Sequence, residues 1–366
     1  IVLAIGALHP HFISQDTMPF LTSLLNSSQS VYSPYMLADS PASKLTSLWS
    51  LTTGLHPADH GIVGDAFYDP DFKDTFVQYS KDPKWWKGEP IWRDADKYGM
   101  EVVTFNWPGA DVVGGPYLPP DHYQSFHERA ELKEQLEQLA RFLSPATETE
   151  HKPDLVLSYV STLDKVVSAN GLSGKELTSE LSNVDSFVKK VYGILKDKGM
   201  FETTNVMIVS EGGYAPTSSE RTLHLDDLVD VTKLEHVQGF PIVGVNPIIE
   251  YSVSEMVDEM RAKLATHALH KHFQVYAKDE VDVTLFGGHS DRISPILLVP
   301  DAGYLVATEN KVNALEGDYS YVSGYRGDEV LSRGVFIGSG PTFVRTFGER
   351  DTVLRPFDIT DVYSIV

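Results

Sequence analysis

The chain has 366 residues, 42% of them hydrophobic, which is enough material for a sizeable packed core. Its 51 acidic against 30 basic residues give a formal net charge of −21, so its surface repels nucleic-acid phosphates. Because of this repulsion, we expect no nucleic-acid partner. The absence of cysteine excludes disulfides, thiolate metal sites and cysteine nucleophiles.

The sequence leaves the cellular compartment open, because a chain of this size does not need disulfides to be secreted. No stretch approaches the ~18 apolar residues of a membrane span. Ile1 already opens an apolar strand, so we expect any signal peptide or membrane anchor to lie outside this sequence. The sequon that begins at Asn26 permits N-glycosylation in a lumenal chain.

Short apolar runs, separated by long connections, predict strands that are buried on both faces. This pattern is typical of an α/β fold with a largely parallel central sheet sandwiched by helices. The runs are residues 1–7, 101–107, 154–160, 205–211, 293–299 and 334–340.

The clearest helix is predicted from Ser173 to Lys198. Ser173 and Glu176 form a capping-box pattern, and Gly199 is placed to end the helix. Its apolar residues share one face, which we expect to cover the sheet: Leu181, Val184, Val188, Val191 and Leu195.

Residues 217–292 are richer in charges and turns, with an amphipathic segment from Ser254 to His272. We interpret them as an elaborated α+β insertion within a single domain of residues 1–366.

Ligand chemistry in an open α/β sheet gathers at the carboxyl ends of the strands. The predicted strands place a small set of residues there, together with the segment before Gly334: Gly6, Trp107, Asp164 and Glu211.

Six blocks of sequence follow one another along the chain: IGALHPHFI, YMLADSPASKLTSLWSLTTGLHPADHGIVGDAFYDP, WWKGEPIWRDADKYGMEVVTFNWPGADV, SEGGYAP, GSGPTFVRT and PFDITDVYSIV. Together they resemble the type I phosphodiesterase/nucleotide pyrophosphatase family, the ectonucleotide pyrophosphatase/phosphodiesterase-like branch of the alkaline phosphatase superfamily. Several blocks in the right order are more specific than one motif. The resemblance covers nearly the whole chain and implies an alkaline-phosphatase-like fold.

The resemblance also implies a phosphodiesterase site with two zinc ions and a threonine that attacks phosphorus. Paired metal ions about 3.5–4 Å apart neutralise charge on both sides of the displaced phosphoryl group. Zinc takes carboxylate and imidazole ligands in tetrahedral sites.

Most positions that match that family's site carry the wrong residue in this chain. The first ligand aspartate falls on Gly6, the threonine nucleophile on Lys44 and the oxyanion-binding asparagine on Ser47. The aspartate of the next ligand pair is kept as Asp164, whereas its histidine falls on Ser168.

The remaining ligand positions are also altered: an Asp-His pair becomes Glu211-Gly212, and the last histidine becomes Ser323. Two carboxylates without imidazoles cannot build two tetrahedral zinc sites. Ser43 and Thr46 have no visible base to deprotonate them. We therefore expect no cofactor and no bound metal in this chain.

Lys44 brings a positive charge to a place where the family has metal cations. We hypothesise that its ammonium pairs with Asp164, Glu211 or both and keeps the cleft closed. A carboxylate left buried without a partner would cost about 3–5 kcal/mol.

Several alternatives stay open at this point. Lys44 could act as a nucleophile or base with a lowered pKa. Asp164 and Glu211 could hold one hard cation, such as Mg²⁺ or Ca²⁺. Trp107 and Leu45 are candidates for a retained ligand pocket, although core packing explains aromatic residues equally well.

Histidines at two places have a functional and a structural interpretation. The spacing in THALHKHF suits metal ligands or a partly exposed helix end. His60 is interpreted as a hydrogen-bonded turn residue.

The sequence thus predicts a catalytically inactive, phosphodiesterase-like pseudoenzyme that binds or scaffolds protein partners, in a larger assembly or a membrane-anchored, lumenal or extracellular chain. One alternative is a residual or altered metal-dependent phosphodiester hydrolase. The other is a sensor that binds a nucleotide or phospholipid headgroup without cleaving it.

Overall fold

The computed structural model describes residues 1–114, 118–144, 152–314, 321–347 and 352–366. Its strands are β1 (Val2–Ile5), β2 (Ser30–Met36), β3 (Ala66–Asp69), β4 (Asp74–Val77), β5 (Val102–Phe105), β6 (His122–Gln124), β7 (Leu155–Val160), β8 (Val206–Val209), β9 (Ala215–Pro216), β10 (Thr222–His224), β11 (Leu234–Gln238), β12 (Val243–Pro247), β13 (Phe273–Ala277), β14 (Ile296–Pro300), β15 (Leu305–Ala307), β16 (Tyr321–Val322) and β17 (Gly334–Ser339). Its α-helices are α1 (Pro19–Leu25), α2 (Lys44–Thr53), α3 (Pro57–His60), α4 (Ile91–Lys97), α5 (Leu132–Phe142), α6 (Thr162–Asn170), α7 (Lys175–Asp197), α8 (Leu225–Leu228), α9 (Val253–Thr266), α10 (Glu309–Ala314), α11 (Pro341–Phe347) and α12 (Asp361–Ile365).

The central sheet of the described residues has seven strands in the order β2-β17-β8-β1-β7-β5-β6. Five neighbouring strands pair in parallel, while β17 runs antiparallel to both β8 and β2. The predicted α/β class and the mostly parallel sheet are confirmed. The parallel arrangement brings the carboxyl ends of β1, β7 and β8 to one edge.

Alternate residues of the central strands supply two hydrophobic cores, one on each face of the sheet. Leu3 and Ile5 of β1 join the core beneath α7, whereas Val2 and Ala4 join the core beneath α2. The predicted apolar face of α7 lies in the first of these cores, as expected. Burial on both faces explains why the strands read as continuous apolar runs.

The start of α7 differs from the prediction. Gly174 occupies the N-cap position and no side chain caps the helix, so the expected capping box from Ser173 does not form. Gly199, just beyond the helix end, has a positive φ of 66°, as is typical of a glycine that ends a helix.

A second sheet, in the order β11-β12-β14-β13, is built from the predicted insertion and packs with α9 around its own core. The run at 293–299 was expected in the parallel sheet but forms β14, which is antiparallel to both of its neighbours. Periodicity alone does not distinguish these two environments, since β14 is buried throughout. This sheet therefore continues past residue 292.

No α-helix among the described residues is both long and apolar enough to cross a bilayer.

Arg292 joins the second sheet to the loops beside α2. Its guanidinium is 2% exposed and donates to Asp69 Oδ2 at 2.7 Å, to the Gly61 carbonyl at 2.7 Å and to the Trp85 carbonyl at 2.6 Å. One buried cation thus satisfies acceptors from three separate segments.

We predict that Arg292→Ala lowers the free energy of unfolding by about 3–5 kcal/mol, because Asp69 is left buried without its cation. Chemical denaturation measures the loss. Arg93→Ala, which removes a partly exposed pair with Asp96, should cost under about 1 kcal/mol. Equal losses in the two variants would contradict the role given to Arg292.

Candidate functional site

The carboxyl edge of the central sheet brings together four of the residues that the sequence singled out. Gly6 follows β1, Glu211 follows β8, and Asp164 lies in the first turn of α6 after β7. Lys44 is the first residue of α2, whose following residues are all buried.

Lys44 and Asp164 form a buried ion pair, with Lys44 Nζ 2.5 Å from Asp164 Oδ2. The two side chains are only 13% and 9% exposed. The other carboxylate oxygen, Asp164 Oδ1, accepts a hydrogen bond from the Tyr214 hydroxyl at 2.6 Å. The hypothesis that Lys44 pairs with a carboxylate is confirmed for Asp164.

The environment of Lys44 favours its charged form. Burial is the largest single influence and acts to lower the pKa of the ammonium. The attraction and hydrogen bond of Asp164, together with Tyr79 and Glu211, outweigh burial, so the pKa lies above its ordinary value. This direction is opposite to the one that a lysine nucleophile or base with a lowered pKa would need.

Glu211 does not bond to Lys44. Its Oε1 accepts a hydrogen bond from the Tyr159 hydroxyl at 2.9 Å, and its Oε2 has no hydrogen-bond partner among the described residues. Burial, together with the nearby Asp164 charge, raises the pKa of Glu211 to about 7.

Tyr159 fills the space beside Gly6. A Cβ atom added at Gly6 would lie 2.3 Å from the Tyr159 hydroxyl oxygen and 2.9 Å from Asp164 Cβ. An aspartate at this position therefore does not fit without displacing the Tyr159 side chain. The tyrosine, which the sequence reasoning did not single out, takes up the space that a ligand side chain would need.

Sequence reasoning also missed Asp65. The Asp65 carboxyl group lies close enough to the Ser43 hydroxyl to be influenced by it, so Ser43 does have a carboxyl group beside it, contrary to expectation. Burial raises the pKa of Asp65, and the Ser43 hydroxyl donates to Thr46 Oγ1 at 3.0 Å. Ser43 is 3% exposed, and the cavity that it lines with Asp65 has a volume of about 40 Å³, room for water but not for a phosphodiester.

The other altered positions contribute little to this cluster. Ser47 is fully buried, and its hydroxyl has no partner among the described residues. Ser168 is exposed and donates to the Lys165 carbonyl of its own helix. Gly212 faces the Ser332 carbonyl, and Ser323 reaches the cluster through Tyr214.

Trp107 and Leu45, the candidate pocket residues, are both fully buried. The Trp107 indole N–H donates to Thr52 Oγ1 at 2.9 Å inside the core. The structure therefore supports core packing rather than a ligand pocket for both residues. Asn26, the sequon residue, is exposed at the end of α1.

The histidines that the sequence singled out lie in two separate parts of the structure. His60 is fully buried, and burial lowers its pKa to about 3. Its Nε2 lies 2.9 Å from Ser50 Oγ, and its Nδ1 accepts a hydrogen bond from the Ile62 amide. The hydrogen-bonded turn is confirmed. His272 Nδ1 lies 3.0 Å from Asp301 Oδ2, away from the Lys44 cluster.

The donor set does not fit a pair of zinc ions. Asp164 is occupied by Lys44 and Tyr214, and one oxygen of Glu211 is occupied by Tyr159. Throughout the described ranges, no group of three or more His, Cys, Asp or Glu residues is arranged to hold a metal ion. A single Ca²⁺ would need about 6–8 oxygen ligands, so the alternative of one hard cation is also poorly supported.

The model of the type I phosphodiesterase/nucleotide pyrophosphatase family matches residues 1–326. The chain belongs to this family. It is therefore a member of the alkaline phosphatase superfamily, as the motifs predicted.

An uncharacterized pyrophosphatase/phosphodiesterase of Schizosaccharomyces pombe is 28% identical over all of this chain and 75% of its own length. Ectonucleotide pyrophosphatase/phosphodiesterase 1 of Saccharomyces cerevisiae is 26% identical, and the chain spans 55% of it. The murine ectonucleotide pyrophosphatase/phosphodiesterase 5 structure superposes with a TM-score of 0.84 at 21% identity, covering 100% of this chain and 92% of that one. This structural likeness confirms the fold.

We predict that Lys44→Met lowers the free energy of unfolding by about 3 kcal/mol, because Asp164 loses its buried cation. Equilibrium denaturation measures the loss, and adding Asp164→Asn should recover most of it. Lys133→Met, which breaks an exposed pair with Glu137, is the matched control and should cost under about 1 kcal/mol. A double variant as unstable as the sum of its single variants would contradict the pairing.

Glu211 should make stability depend on pH. Because its folded pKa of about 7 lies above the ordinary value of 4.5, its contribution to stability is complete below pH 4.5 and is lost as the pH rises through 7. Glu211→Gln should therefore match the wild type near pH 4.5 and be more stable by about 3 kcal/mol near pH 8. Urea denaturation across pH measures this difference, with the exposed Glu137→Gln as the control. A constant difference at every pH would refute the assignment.

Proposed function

We propose that this chain is a catalytically inactive phosphodiesterase/nucleotide pyrophosphatase family member with a binding or scaffolding role. The observation that carries the proposal is the Lys44–Asp164 ion pair. At the position that matches the family's nucleophile, the chain presents an ammonium that is already bound to the one retained ligand carboxylate. An ammonium held in its charged form has no lone pair for attack on phosphorus.

The neighbouring hydroxyl groups do not replace the missing nucleophile. Ser43 is enclosed beside a water-sized cavity, and Thr46 is fully buried. In-line phosphoryl transfer also requires stabilisation of the charge on both the attacking and leaving oxygens, which the family obtains from two metal ions. One paired lysine does not supply this, because its charge is already neutralised by Asp164.

The scaffolding role is supported by what the chain retains. The chain keeps the seven-stranded central sheet with a hydrophobic core on each face, while the altered ligand positions lie at one edge of that sheet. Ile249, just beyond β12, is 94% exposed, and Tyr251 beside it is 43% exposed. Exposed apolar side chains that cluster are typical of contact surfaces for protein partners. Several relatives are named ectonucleotide pyrophosphatase/phosphodiesterases, and these names support a lumenal, extracellular or membrane-anchored location for this chain.

A nucleotide sensor is the alternative with some support from a related structure. An inactive variant of murine ectonucleotide pyrophosphatase/phosphodiesterase 5, in complex with AMP, superposes with a TM-score of 0.83 at 22% identity. AMP is therefore the probe of choice. In this chain, burial of Trp107 and Leu45 argues against a base-stacking pocket at those positions.

We predict that the wild-type protein does not hydrolyse bis(p-nitrophenyl) phosphate above the buffer rate when zinc is added. The Lys44→Thr variant should also be inactive, because it restores the threonine but still lacks the imidazole ligands. Release of p-nitrophenol measures both, with the mouse ectonucleotide pyrophosphatase/phosphodiesterase family member 1 as positive control. Zinc-dependent turnover that disappears in Lys44→Ala would overturn the inactive assignment and favour the residual hydrolase. Stabilisation by AMP in a thermal-shift assay, without turnover, would favour the sensor instead.

A further inference from the structure

A second cavity lies at the amino edge of the central sheet, the end opposite Lys44. It has a volume of about 730 Å³, is open to solvent on one side and is bordered by α1, α7 and α11. Its wall includes Ser339, the last residue of β17, and its strand partner Val206 at the start of β8. Since Glu211 follows the other end of β8, the two sites are separated by the length of that strand, about 10 Å at ~3.3 Å per residue.

One face of α7 shapes this cavity. Lys189, Tyr192, Gly193 and Lys196 all line it, and their i, i+3, i+4, i+7 spacing places them on one helical stripe. A Cβ atom added at Gly193 would have no neighbour within 4 Å, so the glycine borders open space. Glycine within a helix costs about 0.5–1 kcal/mol relative to alanine, so local helix stability does not explain its presence.

The wall of the cavity is largely apolar and aromatic. Phe20 packs edge-on against Tyr192 with ring centroids 5.2 Å apart, and the Tyr192 hydroxyl is hydrogen-bonded to Ser339. Phe201 is 36% exposed and lines the same cavity. The remaining apolar lining residues are Leu24, Leu195, Val206, Pro341 and Val344.

The charges around this cavity are opposite to those of the chain as a whole. Lys189, Lys196 and Arg345 line it, against a single acid, Glu202, whereas the chain carries a formal net charge of −21. Within the part of the chain that the structure describes, none of the three cations forms an ion pair. They are available to a ligand.

We propose that this cavity binds an amphiphilic anion, a ligand with an apolar body and one phosphate or carboxylate head group. Burial of the body against the aromatic wall supplies the hydrophobic contribution, at roughly 25 cal/mol per Å². Lys189, Lys196 and Arg345 supply charge-assisted hydrogen bonds to the head group. A cavity of this volume falls within the usual range for small-molecule sites, about 300–1,000 Å³.

Isothermal titration calorimetry with dodecyl ligands below their micelle concentrations tests the proposal. Dodecyl phosphate or dodecanoate should bind, and the tighter of the two identifies a phospholipid-like or a fatty-acid-like ligand. Dodecyltrimethylammonium and inorganic phosphate should each bind at least about tenfold more weakly. Failure of both anionic probes to bind, or equal binding of the cationic probe, would overturn the proposal.

Variants locate the binding to this cavity. Lys196→Glu and Arg345→Glu should each weaken binding by about tenfold, and Gly193→Leu, which fills the open space, should abolish it. Lys190 follows Lys189 in α7 but does not line the cavity. The variant Lys190→Glu makes the same change of charge and should bind the anionic probes as tightly as the wild type. Circular dichroism confirms that each variant is folded. Binding that is unchanged in all three lining variants would contradict the assigned site.

Discussion

The buried contact between the Lys44 ammonium and the Asp164 carboxylate is the constraint on which the rest of the site depends. Asp164 lies in a largely dehydrated position, where an unpaired carboxylate is costly. Lys44, at the first position of a helix, faces the positive end of the helix dipole and needs a compensating anion. Each charge therefore requires the other. A metal ion at Asp164 would have to displace a cation that is part of the folded structure.

The surrounding tyrosines extend this arrangement. Tyr214 and Tyr159 donate to Asp164 and Glu211, and Tyr159 also fills the space beside Gly6. These contacts link four side chains, so we expect that no single substitution creates a metal centre here. One oxygen of Glu211 has no hydrogen-bond partner among the described residues, and burial raises the pKa of this carboxyl group to about 7. The carboxyl edge of the sheet is thus a buried polar cluster in which the Asp164 oxygens are both paired, while Ser47 Oγ, Asp65 Oδ1 and Glu211 Oε2 have no partner among the described residues.

The sequence predicts the fold well because buried strands read as apolar runs and α7 carries an apolar face with helical spacing. The resemblance to the family also led to the expectation that Lys44 pairs with Asp164, Glu211 or both, and the structure shows the pair with Asp164. It does not predict that 293–299 forms β14 of the second sheet, because a short buried run lacks a periodicity that distinguishes parallel from antiparallel pairing. Tyr159 and Asp65 were also missed, since their roles depend on which side chains meet across distant segments.

The central claim is that a lysine charge occupies the place where relatives of this fold would coordinate metal. Anomalous scattering at the zinc absorption edge, from crystals of the wild-type protein soaked in zinc chloride, tests it most directly. The account predicts no anomalous peak within coordination distance of Asp164 or Glu211, with Lys44 Nζ still bound to Asp164. Two peaks about 3.5–4 Å apart at this edge of the sheet, with the lysine displaced, would contradict it.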